Sequence, residues 1–527
     1  MDALWRTAMT GRARAGDVTL SLADHPATAL VARVVTADCE RQLLLAAGAA
    51  AIHRTAGRRL QSDAPAVEPA PAEQRPTASL RVGTLLQQLA DANEKQLLLE
   101  LASRLQSAGL LLPAEFLPTA LDYSDKTLRH NLRPLLGERG RWLAKFRSEW
   151  RWATSDADTT AVEDVPRLCQ HWTEGTHAER RAVLTLLHRV APEEARRLLA
   201  EVWSTEKADA RGELLAALGP NLSSSDEGIL EGALDDRAAG VRQIAASLLV
   251  RIPQSQLSKR MAQRADAMLT GKLSGLIRKS LIVTCTPPQE VDASLERDGV
   301  APKPPANVGL RAHALTKTFA AVRPMYWSHR FQAEPAAILA GIAKDEFADA
   351  AIAGWTDAAI AFADVDPASA AWLVPLGAHW EARFTTAGED ASRVALERVK
   401  GLLEKMPPGD AEDLLLRLLK SAGMRLNVVL ATLLPLVPTP WSEPFARELL
   451  AATRYHVSKF DDDRLSPWIN VLHIAADAVP DPLLTTELEV WKIREGETWQ
   501  IRGAMKAAER LSQRVQLRRS FLTLLNT

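Results

Sequence analysis

Residues 208–251 read ADARGELLAALGPNLSSSDEGILEGALDDRAAGVRQIAASLLVR, a run of Ala, Leu and charged residues with brief interruptions. Apolar positions recur at helical spacing, which predicts short helices over Ala208–Leu218, Asp226–Leu234 and Gly240–Arg251. The intervening loops are only a few residues long. Consecutive helices are therefore expected to pack against each other.

The same pattern extends on both sides of this stretch. It predicts further helices over Ala178–Arg189, Pro192–Trp203 and Gln254–Leu269. Ser223 or Ser224 precedes an acidic first turn, an arrangement that caps a helix and complements its dipole. Helix pairs that repeat roughly every 35–45 residues are typical of an α-solenoid. The predicted fold class is all-α, built from antiparallel helix pairs.

One of these helix pairs resembles the HEAT-repeat consensus. The matching residues are Leu234, Asp235, Asp236 and Arg237, then Val241 and Arg242, then Ala245, Leu248 and Leu249. The resemblance implies that Asp236 in the turn and Arg242 in the second helix bond to neighbouring repeats. It makes the expected α-solenoid HEAT-like.

Changes in composition divide the chain into segments, since Pro-rich and small polar stretches interrupt the helical pattern. The segments are N-terminal helices over 1–61, a Pro/Ala-rich linker over 62–79, a helical segment over 80–153, HEAT-like repeats over 165–275, an irregular Pro-rich connection over 276–309 and a C-terminal helical region over 310–527. We expect the linker to be extended or disordered. The Pro-rich connection, with a brief β-branched run over 282–284, is expected to join two helical halves as a long loop or hinge.

Composition narrows the classes of function. The 527 residues carry 64 Lys+Arg against 65 Asp+Glu, so binding to nucleic acid or a membrane would require a local patch. The apolar run from Leu43 to Ile52 is shorter than the roughly 20 residues of a membrane span. Three separated cysteines and no visible targeting segment favour a cytoplasmic protein without membrane contact.

The sequence contains no motif that indicates catalysis or a cofactor. Phosphate-binding glycine loops, paired CxxC motifs, HExxH and GxSxG are absent. Cys169, His171 and His177 lack a convincing fourth ligand for zinc. The run of three aspartates over 461–463 is better explained as the acidic start of a helix than as a cation site. We therefore predict no catalytic, metal or cofactor residues and no enzymatic activity.

A basic segment with interleaved tryptophans is the first candidate interaction patch. It comprises Arg129, Arg133, Arg139, Arg141, Trp142, Lys145, Arg147, Trp150 and Arg151. Cations among aromatic rings can bind phosphates and stack bases. Alternatively, the tryptophans pack a helix junction while the arginines pair with nearby carboxylates.

A second candidate patch lies on the long helix predicted near the end of the sequence. Its cations recur every four residues, at Arg502, Lys506, Arg510, Arg514 and Arg518. The opposite face is apolar: Ile501, Met505, Ala508, Leu511 and Val515. The simplest interpretation is an amphipathic helix that caps the solenoid with its charges outward. The alternative is a docking surface for an acidic partner.

Several motifs together resemble an uncharacterised bacterial family, domain of unknown function 5691. They are Trp5 with Met9-Thr10-Gly11, the segment 137–143 followed by Trp150 and Trp152, and the segments 226–227, 234–237 and 241–242. The resemblance implies a HEAT-like helical protein with no assigned catalytic residues. It also implies genetic proximity to a MoxR-type AAA+ ATPase, a von Willebrand factor A protein and a SWIM zinc-finger protein.

Two functional hypotheses follow. The first is a non-catalytic protein-interaction scaffold, an accessory component of such an ATPase system, with the AAA+ ATPase and the von Willebrand factor A protein as partners. The second is a nucleic-acid-binding α-solenoid that uses the basic, Trp-containing patch. Binding that weakens as salt concentration rises would favour the second.

Overall fold

The computed structural model describes residues 68–154, 165–274, 280–459, 465–493 and 498–526, with a few isolated positions between 41 and 52. The chain divides into two compact units, Met1–Pro71 and Ala72–Thr527, and the elements named below lie in the second. Helix accounts for 73% of the structure and strand for 3%, so the chain is mostly helical as predicted. The aspartate run 461–463 and nearly all of the predicted helical segment 1–61 lie outside the described residues.

The first group of helices encloses its own apolar core. These helices are α1 (Leu80–Asp91), α2 (Lys95–Ser107), α3 (Leu117–Asp122), α4 (Lys126–Leu132) and α5 (Gly137–Leu143). Short 3-10 turns over 133–135, 144–146 and 148–153 follow α4 and α5. Leu86, Leu98 and Leu132 are among the fully buried residues of this core.

The next helices form a series in which each contacts at least one helix close to it in the sequence. They are α6 (Val165–Glu174), α7 (His177–Val190), α8 (Pro192–Val202), α9 (Ala208–Ala216), α10 (Glu227–Ala233), α11 (Ala239–Leu249) and α12 (Gln256–Met268). The ends of the helices predicted from 178 to 269 agree with the structure to within two residues. Ser223 forms a capping box with Asp226, because each side chain accepts from the other residue's backbone N–H.

A β-hairpin follows α12, and it corrects the prediction of an irregular loop. Strand β1 (Leu269–Ser274) pairs antiparallel with β2 (Ser280–Cys285), with Leu269 opposite Cys285. The hairpin is packed tightly: a Cβ on Gly271 would lie 2.5 Å from the Phe331 ring, and a Cβ on Gly341 would lie 2.7 Å from the Leu281 carbonyl oxygen. The short helix α13 (Ala293–Arg297) interrupts the remaining connection.

The remaining helices continue the series. They are α14 (Leu310–Ala320), α15 (Pro324–Phe331), α16 (Pro335–Ile342), α17 (Ala348–Phe362), α18 (Leu373–Thr386), α19 (Glu389–Leu403), α20 (Pro408–Ser421), α21 (Leu426–Val428), α22 (Glu443–Lys459), α23 (Ser466–Ala478) and α24 (Trp499–Asn526). A single core of buried apolar side chains runs from Trp172 to Val515.

Helix α24 belongs to both cores. Leu511 and Val515 lie in the long core, whereas Phe521 is fully buried in the core of α1–α5. Helix α24 also contacts α1 directly. The helix therefore joins the first helical group to the end of the series.

Part of the predicted linker is ordered against α5. The Glu73 carboxylate accepts hydrogen bonds from the backbone N–H groups of Glu138 and Arg139, both at 2.8 Å. Thr77 forms a parallel β-bridge with Leu111. Residues 72–79 are thus docked on the helical body, so of the two predicted alternatives, an extended or a disordered linker, the disordered one is wrong for them.

Candidate functional site

The tryptophans of the basic segment serve mainly to pack the first helical group. Trp150 is buried and its Nε1 donates to the Asp122 carboxylate at 2.7 Å, while the half-buried Trp152 donates to the Leu121 carbonyl at 3.2 Å. Trp142 is half-buried and meets Phe146 edge to face, with ring centroids 4.8 Å apart. Trp150 and Trp152 are therefore unsuited to stack on nucleic-acid bases.

Three arginines of this segment have local partners. Arg129 lies over the Trp152 ring at 5.2 Å and donates to the Tyr123 carbonyl. Arg147 lies over Trp150 at 4.6 Å. Arg141 forms an ion pair with a glutamate one helical turn before it.

Four other cations of the segment are not neutralised. Arg139, Lys145 and Arg151 are exposed and Arg133 is half-buried, and within the described residues their side chains have no ion-pair or hydrogen-bond partner. Phe146, which lies between them in the sequence, is 53% exposed. We call these five residues the basic surface. It combines cations that lack an ion-pair partner with an exposed aromatic ring.

The row of cations on α24 divides into two parts. Arg502, Lys506 and Arg510 are exposed, as expected for an outward-facing row. Arg514 and Arg518 are each only 4% exposed, so the prediction that the whole row faces outward is wrong for them. On the opposite face the expectation fails at Met505, which is 53% exposed, whereas the other predicted apolar residues are buried.

The buried end of α24 is held by an ion-pair network with α1–α2 and α23. Arg514 pairs with Glu94 and Asp477. Arg518 donates to Glu100 at 2.8 Å and to the Val479 carbonyl at 2.7 Å. We call these contacts the α24 network. These two arginines join parts of this chain, and their burial removes them from a docking surface.

One further cation, Arg104, and one further acid, Asp481, extend the α24 network. Arg104 donates to Asp481 through two nitrogens, each at 2.6 Å, and also pairs with Glu100 at 2.6 Å. The hydrogen bond from Arg104 outweighs burial and holds the pKa of Asp481 below its ordinary value. The helices α2 and α24 and the end of α23 are therefore linked by alternating charges.

Asp236 and Arg242 bond across neighbouring elements. The Asp236 carboxylate receives two hydrogen bonds from the Arg211 guanidinium on α9, at 2.7 and 2.8 Å. Arg242 donates to the Asp236 carbonyl at 2.9 Å and to Glu296 on α13 at 2.7 Å. Together these contacts link α9, α11 and α13.

A buried His–Asp pair lies between α7 and α10 but does not form a nucleophilic triad. His188 Nε2 lies 2.9 Å from the Asp226 carboxylate, which also accepts from Arg196 and from the Ser223 hydroxyl. The carboxylate lies between hydroxyl and imidazole, whereas a triad places the imidazole between the other two. Burial would raise the pKa of Asp226, but its hydrogen bonds with His188, Arg196 and Ser223 hold it below the ordinary value. The arrangement is a helix cap fixed by charge.

A cleft of about 500 Å³ lies between α11, α12, α14 and α17. Its lining is largely apolar, and its charged or titratable groups are His313 and Lys317 on α14, Asp357 on α17 and Asp298 in the loop before α14. No candidate site predicted from the sequence includes these residues. The available signal was a histidine and a lysine four positions apart on one helix, a spacing that places both on the same face.

Comparison with known proteins identifies the family of this chain. A family model described as Family of unknown function (DUF5691) matches residues 3–525. The chain belongs to this family. No curated protein matches it.

Among the described residues of this DUF5691 chain, no group of three or more His, Cys, Asp and Glu side chains could hold a metal ion. Cys169 contacts Glu194 at 3.4 Å and His177 contacts Glu213 at 3.1 Å, so both residues have partners other than a metal. No described helix has the length and apolar character needed to cross a membrane.

Proposed function

We propose that this DUF5691 chain is a non-catalytic α-solenoid scaffold that binds an acidic region of a partner protein through its basic surface. The supporting observation is that Arg133, Arg139, Lys145 and Arg151, all from one short segment of the chain, have no acidic partners in the described residues, and that Phe146 of the same segment is exposed. Elsewhere buried or half-buried arginines such as Arg211 face carboxylates. Charge left uncompensated beside an aromatic ring suits a complementary partner.

The contacts between helices support a HEAT-like solenoid. Helix pairs in contact include α6–α7, α7–α8, α7–α9, α9–α11, α11–α12, α12–α14, α14–α17, α17–α19, α18–α20, α20–α22, α22–α23 and α23–α24. Each helix thus contacts elements close to it in the sequence, as repeats in a solenoid do. The bonds of Asp236 and Arg242 to α9 and α13 also agree with the stacking role that the HEAT resemblance implies.

The family resemblance supplies the proposed partners. We propose the MoxR-type AAA+ ATPase and the von Willebrand factor A protein, in the bacterial cytoplasm. Such an accessory scaffold needs extended surfaces and no catalytic group. The exposed end of α24, with Arg502, Lys506 and Arg510, offers a second cationic surface for such a complex.

Nucleic acid is the alternative ligand of the basic surface. The four uncompensated cations could neutralise phosphates, and counterion release would then make binding strongly salt-dependent. Base stacking is less favoured, because Trp150 is buried and the ring N–H groups of Trp150 and Trp152 are used inside the protein. The partner test below separates the two ligands.

The test is affinity purification of the tagged chain from its native cells, with and without nuclease, followed by mass spectrometry. We expect the ATPase and the von Willebrand factor A protein to be recovered after nuclease treatment. Their recovery should be lost when Arg139, Lys145 and Arg151 are all changed to Glu. The control changes three exposed lysines outside the basic surface, Lys303, Lys344 and Lys492, to Glu.

The possible outcomes distinguish a protein partner from nucleic acid as the ligand of the basic surface. Equal recovery by the two triple variants would remove the basic surface from the proposal. Loss of partners on nuclease treatment, together with salt-dependent binding of purified DNA or RNA, would favour the nucleic-acid alternative. Circular dichroism of both triple variants checks that the helical fold is retained.

A further inference from the structure

The hydrogen-bond pattern of the β-hairpin shows which backbone groups each strand directs outward. The Thr286 N–H donates to the Met268 carbonyl at 2.8 Å, one step beyond the first residues of the ladder. Along an antiparallel ladder, pairs that exchange hydrogen bonds alternate with pairs that do not. The bonded pairs of the hairpin are therefore Thr270 with Thr284, Lys272 with Ile282 and Ser274 with Ser280.

The outer edge of β2 is covered by α16 and the residues just after it. The Cys285 N–H donates to the Asp345 carboxylate at 3.0 Å, and a Cβ on Gly341 would lie 2.7 Å from the Leu281 carbonyl oxygen. Cys285 and Leu281 both belong to pairs that do not exchange hydrogen bonds, so their backbone groups point away from β1, as the alternation requires. No further strand can therefore pair with β2.

The outer edge of β1 is open. The N–H and C=O groups of Gly271 and Leu273 point away from β2 and have no hydrogen-bond partner among the described residues. Every residue of β1 after Leu269 is exposed. The strand also lacks most of the devices that protect an edge, because its register is continuous, it contains no proline, and Lys272 is its one charged residue.

The two faces beside the open edge differ in chemistry. Successive side chains of a strand point to opposite faces, so Gly271 and Leu273 share one face and Lys272 lies on the other. Leu273 is 67% exposed, and the Phe331 ring lies against Gly271 on the same face. A strand added at this edge would therefore meet an apolar surface on one face and a positive charge on the other.

We propose that the open edge of β1 binds an extended segment of a partner protein, which adds to the hairpin as a third strand. The segment places an acidic side chain opposite Lys272 and apolar side chains opposite Gly271 and Leu273. Its backbone pairs with the N–H and C=O groups that β1 directs outward. This site is separate from the basic surface, and it does not depend on binding there.

A second copy of the chain is a poorer occupant of this edge than a single extended segment. Antiparallel pairing of two β1 strands keeps the same face of each hairpin on the same side of the enlarged sheet. Both α15 helices, which carry Phe331, would then lie side by side on that face. An extended segment brings no helix with it and needs only the width of one strand, about 4.8 Å.

The test uses a fluorescein-labelled, acetylated peptide of sequence Ser-Thr-Val-Glu-Val-Thr-Ser, titrated with the full chain and followed by fluorescence polarisation. We expect a dissociation constant on the order of 100 μM, because the edge is short. The same peptide with N-methyl groups on both valines should not bind, since these residues exchange the backbone hydrogen bonds with β1. A peptide with Lys in place of Glu should bind about threefold more weakly.

Variants of the chain locate the binding. Lys272→Glu should reverse the preference, so that the Lys peptide binds more tightly than the Glu peptide, whereas Lys492→Glu, at an exposed position outside the hairpin, should leave the preference unchanged. Leu273→Pro removes an outward N–H without removing a bond to β2, and it should abolish binding. Leu273→Ala keeps this N–H and should weaken binding about threefold at most. Because Lys272 is exposed, its variant remains informative even if Leu273→Pro does not fold.

Four results would overturn the proposal. The first is no change in polarisation at about 0.5 mM of the wild-type chain, several times the expected constant. The second is equal binding of the N-methylated and unmodified peptides, and the third is the same peptide preference in Lys272→Glu and Lys492→Glu. The fourth is a dimer of the wild-type chain in analytical ultracentrifugation that Leu273→Pro dissociates, because a second copy would then occupy the edge.

Discussion

Replacing Arg518 with methionine removes the guanidinium group from the α24 network but keeps most of the apolar stem. The Arg518 side chain is 3% exposed and donates to the Val479 carbonyl at 2.7 Å and to Glu100 at 2.8 Å. The Val479 carbonyl would lose this partner in a buried position, which costs about 1–3 kcal/mol. Glu100 keeps its ion pair with Arg104, so loss of its hydrogen bond from Arg518 costs less, about 1 kcal/mol.

We therefore expect Arg518→Met to lower the free energy of unfolding by about 2–4 kcal/mol. Arg510→Met is the matched control, because Arg510 lies on the same helix but is exposed, and it should change this free energy by at most about 0.5 kcal/mol. Urea denaturation followed by circular dichroism measures both. Amide hydrogen exchange should also rise selectively in α1, α2 and α24, because the network joins these helices.

Two results would refute the predicted role of Arg518. If Arg518→Met and Arg510→Met unfold at the same urea concentration, the buried guanidinium contributes no net stability. If exchange rises equally in all helices, the network does not link the first helical group to α24 in particular. Combining Arg518→Met with Glu100→Gln tests the pair itself, since the two effects should be less than additive.

Three further predictions concern other positions. Gly299→Ala should destabilise the fold by about 2–4 kcal/mol, because φ at this position is positive and the added Cβ would meet α11. Gly240→Ala is the control: this position has open space around it, so the variant should stabilise the fold by up to about 1 kcal/mol. Urea denaturation measures both free energies of unfolding. The free energy of unfolding should fall as pH drops below about 4, because the pKa of Asp226 is lower in the folded than in the unfolded chain. In the variant Asp226→Asn this dependence on pH should be shallower, because the carboxylate is absent. Burial raises the pKa of the Cys285 thiol and shields it from solvent, whereas Cys169 is half-buried; a thiol reagent followed by peptide mass spectrometry should therefore label Cys169 before Cys285, and Cys285 only in urea.

The helices between 177 and 268 could be predicted because their signals are local. Amphipathic spacing, Pro192 at a first turn and the capping serine before Asp226 all lie within each helix or next to it. The β-hairpin could not be predicted in the same way. Strand β1 contains Gly271 and is exposed at every position after Leu269, so it shows no alternating pattern. Its packing depends on Phe331, far along the chain.

In the candidate sites, too, some features follow from the local sequence and others depend on residues far along the chain. The spacing of the α24 cations is visible in the sequence, but burial of Arg514 and Arg518 depends on α1 and α2, more than 400 positions earlier. The cleft is likewise formed by four helices and a loop whose lining residues range from Gln243 to Ala361. His313 is likewise buried only because these elements enclose it.

The position of α24 in the core of α1–α5 has a consequence for synthesis of the chain. Glu94 and its partner Arg514 are 420 positions apart. At about 5–20 residues per second, α1 and α2 wait about 20–80 seconds before their partner helix is translated. During that interval the apolar surface that finally encloses Phe521 faces water. A nascent chain of this design is therefore a natural client for chaperones that cover exposed apolar surface close to the ribosome.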